Sequence, residues 1–212
     1  MSTETRLELE KTSFRTRLMG HITAQDAGAE LQLCGWVHRR RDLGGLYFID
    51  LRDRSGVFQV SVGPDWTDAE SLAVARDLGA EDVVEVQGEV VLRPGDALNP
   101  EMVTGEVEMK AARVRLLNAA VTPAIPVFRS PDEELPSEDL RLRHRVLDLR
   151  RQEMQRNMEL RHCLVLAVRN YMDGLGFIEV ETPILTKPTP EGARDYLVPS
   201  RNHPGEFFAL PQ

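Results

Sequence analysis

Cysteine is scarce in this sequence of 212 residues, which contains only Cys34 and Cys163. Both stand among apolar residues and not in a paired motif, so neither a disulfide framework nor a zinc site is indicated. Apolar runs of the ~20 residues needed to cross a bilayer are also missing. The acidic first residues, MSTETRLELEKTS, do not fit a secretion or transit signal. We therefore expect a cytoplasmic protein with no membrane partner.

Lysine is almost absent, since Lys11, Lys110 and Lys187 are the only three among 26 basic residues. The positive charge therefore resides on arginine, whose guanidinium suits bidentate phosphate contacts and stacking, although genomic base composition explains the bias equally well. A formal net charge of -8 argues against wholesale coating of nucleic acid, because nonspecific binders carry a broadly basic face. No DNA partner is expected, but a local basic patch is compatible with this charge.

Residues 31–117 alternate short apolar and polar stretches with turn signals. Five of them predict strands: LQLCGWV, LYFIDLR, VFQVSV, VVEVQGEVVL and EVEMKAARVRLL. Between the third and fourth, TDAESLAVARDLGA has helical spacing, an acidic first turn and a glycine stop. Five strands with a helix in this place predict an all-β, five-stranded oligonucleotide-binding (OB) fold barrel. A generic small sandwich is the alternative.

Composition divides the chain into four predicted parts. Residues 1–13 are expected to form a flexible N-terminal extension and residues 14–118 the barrel. Proline at four positions between residues 119 and 139 excludes a continuous helix or central strand there, so this stretch predicts a hinge or linker. Residues 140–212 begin with helical patterns, continue with the strand-like FIEVETPIL, and end with YLVPS and FFALP on either side of a turn.

The helical stretch NMELRHCLVLAVRNYMDGLG carries an apolar stripe and ends at glycines. The stripe consists of Leu160, Leu164, Val168, Tyr171 and Leu175. Amphipathic helices normally bury such a stripe within their own domain.

Alternation along the strands separates a core face from an outer face. It leaves Phe48 on the outer face of LYFIDLR among charged neighbours, and it turns Gln59 and Glu108 outward on two further strands. A stacking ring, an amide and an accepting carboxylate are the parts needed to hold an unpaired base. The arginines of HRRRD at the strand end suit phosphates. The alternative is that Phe48 packs under a loop and the arginines form a solvated turn.

Five stretches resemble one known family: LCGWVHRRRDLGGLYFIDLRDRSGVFQV, VTGEVEM, LRLRHRVLDLRRQEM, GFIEVETPILTKPTPEGARDYLVPSR and FFALPQ. They are similar to the bacterial aspartyl-tRNA synthetases, a family of class II aminoacyl-tRNA synthetases. The resemblance implies a ligase that uses ATP and Mg²⁺ to attach L-aspartate to tRNA(Asp) through aspartyl-adenylate. It also implies that an α+β catalytic domain, an antiparallel sheet with helices, begins after the linker.

The resemblance further implies that the barrel binds the anticodon loop of tRNA(Asp). It assigns Phe48 to stacking on the central anticodon uridine, Gln59 to recognising that base, and Glu108 to accepting a hydrogen bond from the first anticodon base. The implied anticodon contacts are Arg41, Phe48, Gln59, Glu108, Arg93 and Asn99, of which the last two lie in the loop after the fourth strand.

Two implied sites lie in the second half of the chain. Residues 157–185 resemble class II motif 1, which builds the homodimer interface of the family, and this places Pro183 at that interface. TPEGARD resembles the loop that closes over aspartate, with Glu191 reaching towards the substrate's ammonium group. Without the resemblance, Glu191 is simply a solvent-exposed residue of a loop.

The resemblance also suggests a role for three arginines after the linker, Arg141, Arg143 and Arg145. They are expected either to contact the tRNA backbone or to form a salt-bridged helix face.

The class II motifs 2 and 3, whose arginines hold ATP in the family, are not found in this sequence. We therefore expect this chain alone to be inactive and to bind neither ATP nor Mg²⁺. One alternative is an OB-fold module that binds RNA without catalysis, and another is an interaction domain without RNA. A third is a non-discriminating enzyme that also charges tRNA(Asn). Leu43 argues against the third, because relatives with that property often carry histidine at its position.

Overall fold

The computed structural model describes residues 10–128, 133–187 and 195–210 of the chain. The chain divides into two compact units between Gln152 and Glu153. The family resemblance predicts instead that the catalytic part begins near residue 140. That boundary stays a prediction.

Five strands close a barrel in the first unit. They are β1 (Glu30–Asp42), β2 (Tyr47–Asp53), β3 (Gly56–Val62), β4 (Val83–Leu92) and β5 (Val107–Asn118). Around the barrel the order is β1, β2, β3, β5, β4, with β3 and β5 parallel and the other neighbours antiparallel. One helix, α1 (Ala69–Asp77), connects β3 to β4, and the Asp68 side chain caps it by accepting from the Ser71 N–H. The predicted OB barrel is confirmed, and the sandwich alternative is wrong.

Alternate strand residues fill the barrel. The fully buried side chains include Leu33, Val37, Ile49, Leu51, Phe58, Val60, Val84 and Met109. Burying one such side chain contributes roughly 1.5–3 kcal/mol relative to leaving it in water. This core fixes which side chains of β2 point inward. Phe48 and Asp50 therefore lie on the outer face of β2, where both are partly exposed.

Two glycines set the turn between β1 and β2. Gly44 and Gly45 have φ angles of 71° and 92°, in the left-handed region that side chains disfavour. The N–H of Leu43 donates to the carbonyl of Leu46 at 2.9 Å and closes the turn. The turn fixes the register in which Arg41 of β1 stands opposite Phe48 of β2.

The proline-rich segment after β5 is irregular but packed. Its described residues, 119–128 and 133–137, contain no helix or strand, as the prolines predict. Ile125 and Val127 are nevertheless buried. Two short helices follow, α2 (Glu138–Arg143) and α3 (Arg145–Leu149).

Ion pairs organise the two short helices. Arg141 and Arg145 both pair with Asp148, whose side chain is fully buried. The structure therefore favours the salt-bridged interpretation for these two arginines over an RNA contact.

The N-terminal segment packs on the barrel where it is described. Glu10, which the sequence places in a flexible extension, is buried. Its carboxylate accepts from the Leu18 N–H at 3.2 Å and lies 2.7 Å from Nδ1 of His21. Residues 1–9 lie outside the described residues.

The second unit consists of a long helix and a hairpin. The helix is α4 (Gln152–Gly174). The strands β6 (Tyr196–Pro199) and β7 (Phe207–Leu210) pair antiparallel, so the turn predicted between YLVPS and FFALP is confirmed. Gly176, at φ 83°, ends the helix in a Schellman motif: its N–H donates to Asp173, and the N–H of Phe177 donates to Met172. Across the described part of the chain, no helix is long and apolar enough to span a membrane.

The apolar side of α4 is uncovered. No described residue of the helix is buried, and the five stripe residues are 53–70% exposed. The expected burial of the stripe within its own unit is therefore not observed among the described residues.

The strand predicted for FIEVETPIL is wrong, because residues 177–185 contain no strand. A strand needs a neighbour for its backbone N–H and C=O groups. Within the described ranges, this stretch finds no such neighbour, and the nearest ladder contact is an isolated bridge between Thr186 and Ala209.

Candidate nucleic-acid interface

The outer faces of β1, β2 and β3 bring the predicted residues into adjacent rows. Arg41 is the cross-strand partner of Phe48, and Asp50 is that of Gln59. Neighbouring strands lie about 4.8 Å apart, so side chains on one face of adjacent strands contact each other. Glu108 joins this surface from β5 through its bond to Gln59.

The ring of Phe48 lies at the surface of the barrel. It is partly exposed and does not belong to the apolar core cluster. The guanidinium carbon of Arg41 lies 5.7 Å from the centroid of this ring, within the range of a cation–π contact. The ring is therefore only partly covered, and its exposed part is accessible to a stacking partner.

A chain of polar contacts orders the side chains beside the ring. Nη2 of Arg41 lies 3.1 Å from Oδ1 of Asp50 and donates to Oε1 of Gln59 at 2.8 Å. Nε2 of Gln59 then donates to Oε2 of Glu108 at 2.5 Å. Because arginine only donates and an ionised carboxylate only accepts, these partners fix which end of the Gln59 amide faces which neighbour.

Gln59 is less exposed than the sequence predicts. Gln59 and Ser61 are on the outer face, but they are only 7% and 2% exposed. Side chains from other strands cover them, and Oγ of Ser61 lies 3.2 Å from the Glu108 carboxylate. The outward direction predicted for Gln59 is confirmed, but its amide is covered, so a ligand could reach it only beside Arg41 and Glu108.

Arg93 is buried beside this network with one donor unsatisfied. It is 7% exposed, and its Nε donates to the carbonyl of Val107 at 2.9 Å. Its Nη2 is buried and has no hydrogen-bond partner among the residues that the structure describes. An unsatisfied buried donor costs about 1–3 kcal/mol. A phosphate or carbonyl oxygen of a ligand would satisfy it.

Charges around Arg93 connect it to the same surface. Burial lowers the pKa of the Arg93 guanidinium, while the carboxylates of Glu108 and Asp50 raise it and Arg41 lowers it. Positively charged donors and negatively charged acceptors therefore lie side by side in this part of the barrel. A ligand that binds here must offer partners to both kinds of group.

Not every predicted cation is available to a ligand. The guanidinium of Arg40 lies 5.8 Å from the Tyr47 ring, and its Nε donates to the carbonyl of Leu78 at 3.2 Å. Arg40 is exposed like Arg39, but these two contacts already engage its guanidinium.

Asp50 was not predicted as a site residue. Its position, two residues after Phe48 on the same face of β2, could have indicated that it belongs to the site.

The other predicted residues lie apart from the network or cannot be described. Asn99 shapes its own loop, because its Oδ1 accepts from the Glu101 N–H at 3.0 Å and its N–H donates to the Gly105 carbonyl. Pro183 is exposed in the irregular stretch after α4. Glu191 lies outside the described residues.

The described residues do not fit a Mg²⁺ site. In the three described ranges no three or more His, Cys, Asp or Glu side chains are grouped to hold a metal ion. What these residues can do is bind and orient a ligand with unpaired bases.

Two family models match the chain over most of its length. The model described as OB-fold nucleic acid binding domain matches residues 31–117, and the model described as tRNA synthetases class II (D, K and N) matches residues 137–212. The chain belongs to this family of class II tRNA synthetases.

Within the family, the similar relatives are bacterial aspartate–tRNA ligases, which confirms the resemblance. The aspartate–tRNA(Asp/Asn) ligases of Syntrophotalea carbinolica and Bacillus subtilis are each 54% identical over 198 residues, which is 93% of this chain and 33% of the relative. The aspartate–tRNA ligase of Oceanobacillus iheyensis is 52% identical over 197 residues, 92% of this chain and 33% of that protein. The chain therefore spans about a third of the length of these relatives.

Solved structures support the fold. The asparaginyl-tRNA synthetase of Pyrococcus horikoshii, complexed with asparaginyl-adenylate, matches with a TM-score of 0.76 and 24% identity, over 92% of this chain and 42% of that chain. A putative aspartyl-tRNA synthetase of Leishmania major matches with a TM-score of 0.77 and 17% identity, over 95% and 40% of the two chains. At these identities the likeness shows the fold alone.

Proposed function

We propose that this chain supplies the anticodon-binding barrel and the first part of the catalytic domain of an aspartate–tRNA ligase. The observation that carries the proposal is the partly exposed Phe48 ring beside the ordered contacts of Arg41, Gln59 and Glu108. The identity to aspartate–tRNA ligases over 93% of the chain supports the same assignment. The partner is the anticodon loop of tRNA(Asp).

The barrel's task in this proposal is to recognise unpaired bases. The central anticodon base stacks on Phe48, and its polar edge meets the amide of Gln59, which already has a fixed orientation. Glu108 accepts a hydrogen bond from the first anticodon base. Arg93 donates through Nη2 to an oxygen of the RNA, and Asn99 contributes by shaping the loop that leads from Arg93. Because these groups are held before binding, little ordering is required of the protein.

The proposed ligase joins L-aspartate to tRNA in two steps. ATP is the activating substrate, and Mg²⁺ is the metal ion that the reaction requires. The aspartate carboxylate attacks the α-phosphorus of ATP to give aspartyl-adenylate and release pyrophosphate, and a terminal ribose hydroxyl of the tRNA then takes the aspartyl group and releases AMP. We assign Glu191 to the ammonium group of aspartate. The other residues of this chain bind and orient the tRNA, and we place the enzyme in the cytoplasm.

We further propose that the ligase is a homodimer through the region of α4 and Pro183. The uncovered apolar stripe of α4 supports this proposal, because such a surface is normally covered by another protein surface.

Binding of anticodon stem-loops tests the proposed function. The 212-residue chain is titrated with a labelled stem-loop carrying the aspartate anticodon and with matched stem-loops in which only the central base differs. We expect the aspartate stem-loop to bind about 5- to 150-fold more tightly, because one good hydrogen-bonded base contact discriminates by about 1–3 kcal/mol. Equal affinity for all of the stem-loops would contradict the proposal.

Exchange of pyrophosphate into ATP in the presence of aspartate tests whether adenylate formation requires the full-length ligase. We expect no exchange with this chain alone and rapid exchange with the full-length ligase that we propose. Exchange by the chain alone, or none by the longer protein, would overturn this part of the proposal. The second result would favour an RNA-binding module without catalysis.

A non-discriminating ligase is the second candidate function. Several similar relatives, including that of Bacillus subtilis, are named aspartate–tRNA(Asp/Asn) ligase. Leu43, exposed in the turn between β1 and β2, favours restriction to tRNA(Asp). Charging of purified tRNA(Asp) and tRNA(Asn) with aspartate by the full-length ligase decides between the two candidates.

A further inference from the structure

Trp66 extends the aromatic surface of the barrel beyond Phe48. It follows β3, and its Nε1 donates to the carbonyl of Ser61 at 3.3 Å, which holds the ring in one orientation. The ring lies directly against Gly63, because a Cβ there would be 2.7 Å from Cη2 of Trp66 and 2.9 Å from Cδ1 of Leu46. The indole is only partly buried, so part of it remains accessible.

Lys110 places a positive charge beside this indole. Its Nζ lies 5.3 Å from the centroid of the Trp66 ring. Lys110 is exposed and, within the described ranges, no carboxylate lies within ion-pair distance of it, although Glu89 is its cross-strand partner on β4. An ammonium group over an indole ring is held in place by the cation–π attraction and can still donate to a phosphate.

The pair is continuous with the proposed anticodon surface. Phe48 is the cross-strand partner of Ser61, and Ser61 is that of Lys110. Phe48 and Lys110 are thus two strand spacings apart, about 10 Å, on the same outer face. Leu46, which lies just before β2 and two residues before Phe48, is close to Gly63, as is the Trp66 ring. An RNA strand whose base covers Phe48 therefore passes beside Trp66.

We propose that Trp66 and Lys110 form a second nucleotide subsite, which binds a loop nucleotide that flanks the base on Phe48. Trp66 stacks on the base of this nucleotide, and Lys110 binds its phosphate. Proteins that bind single-stranded nucleic acid combine stacked aromatic rings with cations in this way. The subsite rests on the proposed function, since it needs an RNA loop on the outer face of the barrel.

Tryptophan fluorescence tests the stacking directly. The chain has two tryptophans, and the other, Trp36, lies 4.4 Å from the guanidinium of Arg150. A Trp36→Phe variant therefore reports on Trp66 alone. On titration with the aspartate anticodon stem-loop, we expect quenching of Trp66 emission with the same midpoint as the anisotropy of the labelled RNA. Saturable binding with unchanged emission overturns the subsite and leaves the proposed function intact, whereas no binding at all overturns both.

Variants separate stacking from a merely structural role of Trp66. Trp66→Leu keeps an apolar side chain but loses the ring, and we expect about 5- to 150-fold weaker binding, the equivalent of 1–3 kcal/mol. Trp66→Phe restores most of the affinity. The loss of affinity caused by Trp66→Leu disappears when the nucleotide that contacts Trp66 is made abasic. The same loss persists when the abasic site lies elsewhere in the loop. No rescue by phenylalanine, or the same loss for every abasic loop, contradicts stacking. Thermal unfolding of each variant checks the fold.

Lys110→Gln tests the phosphate contact. We expect the slope of log affinity against log salt concentration to fall by about 1. The matched control is Arg115→Gln, which removes another exposed cation of β5 that is paired with Glu85. An unchanged slope for Lys110→Gln, or an equal change in both variants, contradicts the assignment.

Discussion

Arg41 is the side chain on which the arrangement of the anticodon surface depends. Its guanidinium lies beside the Phe48 ring, pairs with Asp50 and donates to the amide of Gln59. Its own Nε is buried and has no partner among the described residues. The residue therefore orients the base-recognising amide and still offers a donor to a ligand.

Loss of the Arg41 guanidinium is expected to reduce the preference for the central anticodon base. In Arg41→Ala the Gln59 amide loses the donor that fixes its orientation, a charged hydrogen bond of a kind that contributes about 1.5–3 kcal/mol. The ratio of affinities for the aspartate stem-loop and its central-base variants measures this effect. If this ratio is the same as for the original chain, while binding is weaker and depends less on salt, Arg41 contacts phosphate alone and the expectation is contradicted.

His38 makes the stability of the barrel depend on pH. Its Nδ1 lies 3.1 Å from Nη1 of Arg52, and because arginine only donates, Nδ1 must accept and the ring must be neutral. Burial lowers the pKa of His38, and Arg52 lowers it further, against the opposing effects of Asp50 and Glu81. The unfolded chain, in which the pKa is near 6.5, therefore takes up a proton at higher pH than the folded chain.

We accordingly expect the free energy of unfolding to fall as the pH decreases through 6.5 towards the lower pKa of folded His38. Above pH 6.5 this contribution is complete, because both states are neutral there. Denaturant titrations followed by tryptophan fluorescence measure it, since Trp36 and Trp66 both lie in the barrel unit. The His38→Gln variant should lack this part of the pH dependence, and parallel curves for the two proteins would contradict it.

For single side chains, the sequence predicted the face of the strand on which each one lies but not its surroundings. Alternation along β2 and β3 put Phe48 and Gln59 on the outer face, and both lie there. It could not predict that Gln59 is covered, because its cover comes from Arg41 and Glu108 on strands distant in sequence. The unsatisfied donor of Arg93 depends on such long-range packing too.

At the scale of elements, the short helices α2 and α3 are held together by one buried carboxylate. Asp148 lies 3.8 Å from Nη1 of Arg141, 2.5 Å from that of Arg145 and 3.0 Å from that of Arg151. Helices of this length do not persist alone in water, so they depend on such contacts.

Replacing the carboxylate is expected to loosen both helices. Asp148→Asn removes a buried charge that pairs with three arginines, which costs about 3 kcal/mol, at the low end of 3–5 because Arg145 is 45% exposed. Hydrogen exchange should accelerate over residues 138–151 and remain slow in β1 to β5. The matched change Asp139→Asn, at an exposed position of α2, should have little effect. Unaltered exchange in Asp148→Asn would show that other contacts hold these helices.

Whole elements were predicted well where their pattern is local. The five strands of the barrel and α1 follow from alternation and helical spacing within each stretch. The observed bounds agree with the predicted stretches to within about three residues, except that β1 continues to Asp42 beyond the predicted LQLCGWV. The FIEVETPIL stretch has the same local pattern but forms no strand, because a strand also requires a neighbouring strand. No such neighbour is found for it in the described part of the chain.

At the scale of the whole molecule, the uncovered stripe of α4 predicts self-association. Leu160 and Leu164 are 70% and 62% exposed, an unusual state for apolar residues on one face of a helix. Sedimentation equilibrium should detect dimers of the chain, and Leu160→Glu with Leu164→Glu should abolish them. Asn157→Glu adds charge to the same helix without removing an apolar residue and should leave the dimers intact. A chain that is monomeric at all concentrations would contradict the proposed interface.

The affinity of the chain for the aspartate anticodon stem-loop, before and after the change Phe48→Ala, tests the central claim most directly. We predict a loss of about 1–3 kcal/mol, or 5- to 150-fold, because one stacked base is uncovered. Phe48→Trp should preserve binding, and Phe14→Ala should not affect it, since this change removes an exposed ring elsewhere in the chain. Unchanged affinity of a correctly folded Phe48→Ala protein would contradict the account.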